Sequence, residues 1–130
     1  MIQGLRSMPV LTVKEIEKSV EFFTAGLGFV LAGCWKDGEG KPSFAIVVMN
    51  NITVGLQRGT PKKESALWAA YFYVQDIDAF ATQIESNGIR PKRQVTDQFY
   101  GCRDLEVEDY DRNVLCFGQD RRPGEAGPGL

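Results

Sequence analysis

The feature that most restricts this chain is a repeat. Shifted by 61 residues, Val13-Lys14-Glu15-Ile16-Glu17 falls on Val74-Gln75-Asp76-Ile77-Asp78, and Ile52–Leu56 falls on Asn113–Phe117. Both matches share one offset and lie at opposite ends of each half, so two like units in tandem are expected. Gly28 and Gly88 differ by 60, which places a one-residue insertion or deletion inside that span.

Hydrophobic spacing gives each half the same element order. Positions 8–13 are apolar and rich in β-formers, and 15–25 carry Ile16, Val20 and Phe23 at helical spacing before Gly26-Leu27-Gly28. Strands are predicted over 29–36, 43–49 and 52–57, separated by DGEGKP and by the Asn50-Asn51 turn. The order then restarts: a strand over 67–74, a helix over 76–86 with Ile77, Phe80 and Ile84 inward, and strands near 91–96, 103–108 and 113–119. The expected fold class is α+β, with two tandem βαβββ modules forming a curved mixed sheet around a central cleft. The 130 residues then make one domain, with module one at about 5–58, module two at about 66–119 and a Gly/Pro-rich flexible tail at 120–130.

Composition removes whole classes of function. The chain has no histidine, so a Ser-His-Asp or Cys-His nucleophile, a His-based zinc site and a 2-His-1-carboxylate iron site are excluded. A net charge of −2 offers no general attraction to nucleic acid or an anionic membrane, and neither partner is expected. The opening MIQGLRSMPV has neither a signal-peptide pattern nor a membrane-spanning run, which predicts a cytoplasmic location. Cys34, Cys102 and Cys116 are odd in number and lack CxxC spacing, so they read as free thiols.

Two segments carry a resemblance. Residues 9–23, PVLTVKEIEKSVEFF, with Leu27-Gly28-Phe29, are similar to an opening in which a strand ends V-x-D, an S-x-x-F-Y helix follows and L-G-F closes it. Residues 100–118, YGCRDLEVEDYDRNVLCFG, resemble Y-G-x-R-D-F-x-V-x-D-P-D-G-N-x-L-x-F-G. Together they resemble the glyoxalase/bleomycin-resistance/dioxygenase (vicinal oxygen chelate) superfamily over nearly all of residues 8–119, closest in character to its metal-free bleomycin-resistance branch. Tyr110 and Arg112 replace the usual Pro and Gly of the last turn, implying a changed turn type.

In metalloenzyme members of that superfamily the resemblance would put metal ligands at Met8, Gly55, Ala69 and Cys116. Gly and Ala have no donor, and a Met-Cys pair suits only a soft ion. No metal and no cofactor are expected. Strand alternation sorts Leu11, Val13, Val54, Leu56, Phe72, Leu115 and Phe117 onto a helix-covered face. The opposite face holds Thr12, Thr53, Gln57, Tyr71, Tyr73 and Cys116, joined by Glu106 and Asp104 if Leu105 and Val107 pack inward. With Trp35 as a stacking ring, the candidate ligand-binding residues are Thr12, Trp35, Thr53, Gln57, Tyr71, Tyr73, Glu106 and Cys116. No catalytic residue is assigned. Arg103 is open to two readings, a substrate carboxylate partner or a structural ion pair. Trp68 is either a stacking ring or a core residue.

Three readings of function remain open on the sequence. The first is a metal-independent protein that binds and sequesters a small molecule, planar, and cationic if Glu106 contributes its charge. The resemblance implies an antibiotic-binding homodimer here. The second is a metal-independent lyase, isomerase or hydrolase using a carboxylate or tyrosine as acid/base, and the third is a regulatory or structural module with a vestigial cleft.

Overall fold

The computed structural model describes residues 1–62 and 67–122. The tail over 123–130, expected to be flexible, lies outside the described residues. The chain divides into two compact units, Met1–Lys62 and Lys63–Leu130, and the strands form two four-stranded sheets, one in each.

The first unit runs β1 (Val10–Val13), α1 (Ile16–Glu21), β2 (Val30–Lys36), β3 (Pro42–Met49) and β4 (Ile52–Arg58). Its sheet order is β1-β4-β3-β2, with β1 parallel to β4 and the other pairs antiparallel. The second unit repeats this as β5 (Trp68–Tyr73), α2 (Ile77–Ser86), β6 (Arg93–Asp97), β7 (Cys102–Glu108) and β8 (Val114–Asp120), in the order β5-β8-β7-β6. Two βαβββ modules are therefore present, as the repeat requires.

Each parallel pair needs a crossover, and the helix that supplies it packs on one face of its sheet. Leu11, Val13, Ala45, Val47, Val54 and Leu56 are buried on that face of the first sheet, with Ile16 and Phe23 from the helical segment also buried. In the second unit Phe72, Leu105, Val107, Leu115 and Phe117 take the corresponding positions, with Ile77, Phe80 and Ile84 of α2 buried too. Phe80 and Phe72 both stack on Phe117, at centroid distances of 4.6 and 5.2 Å.

The first helix differs from the expectation. It is α-helical only to Glu21, and Phe22–Gly26 form a π-helical turn closed by Leu27 N–H donating to Phe22 O at 3.0 Å. The Thr24 hydroxyl donates to Val20 O at 2.8 Å, a local competitor for the helix ladder. Gly28, at φ +87°, then ends the segment in the left-handed conformation that glycine accepts without strain. The final turn also differs. Arg112 sits at φ +64°, a left-handed conformation at the place where the resemblance has Gly.

Candidate functional site

The uncovered face of the second sheet concentrates polar and aromatic chemistry. Alternation along β7 sends Leu105 and Val107 into the helix-covered core, which leaves Cys102, Asp104 and Glu106 on the other side. Along β5 the same rule buries Phe72 and leaves Tyr71 and Tyr73 on the uncovered face. A register shift between Trp68 and Ala70 adds a residue to that strand. The bulge turns Trp68 onto the side of Tyr71, where simple alternation would have placed it beneath the helix.

The rings form a series. Trp68 and Tyr71 have centroids 5.1 Å apart, Tyr71 and Tyr73 again 5.1 Å, and Tyr100 approaches Trp68 at 6.4 Å. Trp68 is 44% exposed and Tyr73 48%. The hydroxyl end of Tyr71 lies over Gly118, where an added β-carbon would stand 2.0 Å from the phenolic oxygen. Only glycine fits there while the ring keeps this position.

Asp104 organises the polar part. Its carboxylate is fully buried and accepts from Tyr71 Oη at 3.0 Å, Gln98 Nε2 at 3.1 Å, Arg93 Nη2 at 2.5 Å and the Tyr100 hydroxyl. Arg93 also donates to Asp104 O at 3.0 Å. Burial would raise the Asp104 pKa, but the hydrogen bonds from Tyr100, Arg93 and Tyr71 outweigh it and hold the carboxyl below its ordinary range. Burial pushes the Tyr71 and Tyr100 hydroxyls well above the usual phenol value, and their bonds to the Asp104 carboxylate push further. Burial likewise raises the Cys116 thiol, with the Asp104 charge adding to it. These groups keep fixed protonation states near neutrality: Asp104 ionised, the two phenols and the thiol protonated.

Glu106 lies beside the rings. Its Oε2 accepts from the Trp68 indole N–H at 3.0 Å and lies 3.5 Å from Arg93 Nε. Its strand partner across the ladder is Cys116, which in turn pairs with Tyr71.

Four of the expected binding residues, Tyr71, Tyr73, Glu106 and Cys116, thus share one face of the second unit. Cys116 is fully buried among them. The other four, Thr12, Trp35, Thr53 and Gln57, lie in the first unit. Thr12 is half-buried on β1, Thr53 is buried and Gln57 exposed on β4, and Trp35 is 51% exposed on β2. The Trp35 ring folds back over Gly33 and meets Phe44 at 5.9 Å. Sequence reasoning did not single out Arg93, Gln98 or Tyr100, although Tyr100 and Asp104 stand inside the Y-G-x-R-D segment. Arg103 resolves as a structural ion pair, donating to Asp78 of α2 at 2.9 Å and to Asp97 of β6 at 3.1 Å.

The residues at the superfamily's metal positions do not fit a hard divalent ion. Met8 and Gly55 are neighbours, and a β-carbon on Gly55 would lie 3.4 Å from Met8 Cε. Neither they nor Ala69 and Cys116 supply an oxygen or imidazole side-chain donor. Among the described residues no group of three or more Cys, Asp or Glu side chains could hold a metal ion.

Comparison with known proteins agrees with this architecture. The chain is 28% identical to a bleomycin resistance protein of Geobacillus stearothermophilus, over 88% of this chain and 96% of that one. Among solved structures it is similar to a glyoxalase-related enzyme from Clostridium phytofermentans, with a TM-score of 0.78 and 22% identity over 92% of this chain and 97% of that one. It is also similar to a bleomycin-binding protein from Streptomyces verticillus, solved with copper(II)-bleomycin, with a TM-score of 0.70 and 22% identity over 90% and 97%. With residues 7–117 matching its pattern, the chain belongs to the glyoxalase/bleomycin resistance protein/dioxygenase superfamily.

Proposed function

We propose that the protein binds and sequesters a planar small molecule of antibiotic type, without metal and without chemistry, and that it does so as a homodimer. The observation that carries this reading is the ring series Trp68, Tyr71 and Tyr73 on an uncovered sheet face, with Glu106 beside it. Apolar rings with a few fixed polar groups are what small-molecule sites use, and each stacked aromatic pair contributes about 0.5–1.5 kcal/mol beyond area burial. Thr12, Trp35, Thr53 and Gln57 serve as ligand contacts on the first unit. The kinship with a bleomycin resistance protein along nearly its whole length supports the same class of function.

Acid/base catalysis at this face is less well supported. A general acid or base works best with a pKa near the operating pH. Here Asp104 is held low while Tyr71 and Tyr100 are held high.

The test is a pair of adjacent substitutions read by ligand titration and urea unfolding. Tyr73→Ala removes an exposed ring and should weaken binding of a planar aromatic dye by about 1 kcal/mol or more with stability little changed. Phe72→Ala truncates a buried ring stacked on Phe117 and should cost about 3–5 kcal/mol of stability. Unchanged dye affinity in Tyr73→Ala would remove the second unit's face from the site.

A further inference from the structure

Two rings of the uncovered face end on a single atom. Oδ2 of Asp104 accepts from the Tyr71 hydroxyl at 3.0 Å and from the Tyr100 hydroxyl as well. Its other oxygen, Oδ1, accepts from Arg93 Nη2 at 2.5 Å and from Gln98 Nε2 at 3.1 Å. The carboxylate thus divides its work, one oxygen for the phenols and one for the guanidinium and the amide. The donors arrive from β5, from β6 and from the segment between β6 and β7, while Asp104 itself is fully buried on β7.

Both phenols belong to half-buried rings, and both rings have Trp68 as a neighbour, at centroid distances of 5.1 Å for Tyr71 and 6.4 Å for Tyr100. A ring at a surface that a ligand must immobilise lowers affinity by the rotamer freedom it gives up, roughly two- to tenfold for each side chain. A ring already held at its far end gives up less. Gly118 adds to this at Tyr71, because the phenolic oxygen reaches Asp104 across a position where a β-carbon would stand 2.0 Å away.

We infer that Asp104 is a positioning residue for ligand binding: by tethering the Tyr71 and Tyr100 hydroxyls to one buried oxygen it fixes those rings against Trp68 before the ligand arrives. The inference rests on the binding role proposed above and names what prepares that face. Asp104 has no exposed surface with which to touch a ligand, so its effect passes through the two rings.

The experiment is a mutant cycle on the full chain, read by fluorescence titration with acridine at slightly alkaline pH, where the dye is neutral and the lost carboxylate charge has no bearing on it. Urea unfolding of each variant shows that it is folded. Tyr71→Phe/Tyr100→Phe keeps both rings and removes only the tethers; it should bind acridine roughly three- to tenfold more weakly than wild type. Asp104→Ala should lose affinity to the same extent. Added to the double variant, Asp104→Ala should cost less than a further twofold, because the tethers through which it acts are already gone. A merely structural Asp104 would lower the unfolding midpoint and leave the affinity of the folded protein unchanged. Wild-type affinity in folded Asp104→Ala, or a full further loss when it is added to the double variant, overturns the inference and leaves the binding role standing. Should Asp104→Ala not fold, Tyr71→Phe/Tyr100→Phe decides alone, and wild-type affinity there overturns the inference. Failure of wild type to bind acridine overturns both.

Discussion

At the scale of single residues, the second unit's face depends on a position that carries no side chain. Gly118 is the partner of Tyr73 across the parallel ladder, and the Tyr71 hydroxyl lies over it. The phenolic oxygen, Cζ and Cε1 of Tyr71 would stand 2.0, 2.7 and 3.0 Å from an added β-carbon. A ring end can usually swing aside, but this one is tied to the buried Asp104 carboxylate at 3.0 Å. Gly118→Ala should therefore break that bond or shift the strand, at about 1–3 kcal/mol in urea unfolding. The double variant Tyr71→Phe/Gly118→Ala should recover part of the loss, because the deleted hydroxyl is the atom in closest conflict. If the two losses simply add, the ring is free to move and the clash is not the cause. None of this was legible in the sequence, where Gly118 is one of several glycines and nothing marks which ring covers it. Asp104 was legible as a residue of the uncovered face, but not as the acceptor for four side chains. Three of the donors come from β6 and the loop after it, and spacing alone does not bring those to one point.

At the scale of elements, the repeat shows what one methylene does. Asp76 precedes α2, and its Oδ1 accepts from Ala79 N–H at 3.0 Å, while Gln119 Oε1 accepts from Ile77 N–H at 3.0 Å. Glu15 occupies the equivalent place before α1 with the same extended backbone, yet makes no side-chain cap and instead pairs with Lys18 at 3.0 Å on the surface. The longer side chain does not match the short reach that N-cap residues use. Glu15→Asp should thus stabilise the protein by about 0.5–1 kcal/mol, the surface pair it gives up contributing less than the cap it gains. Thermal unfolding of the single variant checks this, and a lower midpoint than wild type would rule it out. The order and type of the strands and α-helices among the described residues were readable from periodicity and turn residues. Their irregularities were not. The π-turn after Glu21 places Phe22 and Phe23 both in the interior, a choice made by packing. The bulge that turns Trp68 toward Tyr71 leaves no mark in a strand of apolar residues, so the sequence left that ring open between stacking and core.

At the scale of the whole molecule, the repeat and the two terminal motifs were enough to give the superfamily, because they are set by backbone turns and core faces that every member must form. They did not give the ligand, since site chemistry varies while those features stay. Association is set by what the chain leaves exposed. The outer strands β2 and β6 are equivalent in the two sheets but differ in character. β6 carries Arg93, Gln94, Thr96 and Asp97, polar groups that protect an edge, whereas β2 reads VLAGCWK, with Val30 65%, Leu31 44% and Trp35 51% exposed. Register shifts at Leu31/Gly33 and Trp35/Lys36 interrupt the strand, so a continuous ladder with another strand is disfavoured and side-chain packing is left as the means of covering it. A second copy offers the same surface, and twofold pairing of identical patches is the commonest way such surfaces are buried. Light scattering after size exclusion should therefore give twice 14.5 kDa. Leu31→Lys should shift the population toward 14.5 kDa without lowering the unfolding midpoint of the separated chain, because Leu31 is already exposed there. A wild-type mass that stays at one chain as concentration rises would leave β2 an uncovered edge and remove the homodimer from the proposed function. A Leu31→Lys variant that still pairs would instead put the contact on another surface.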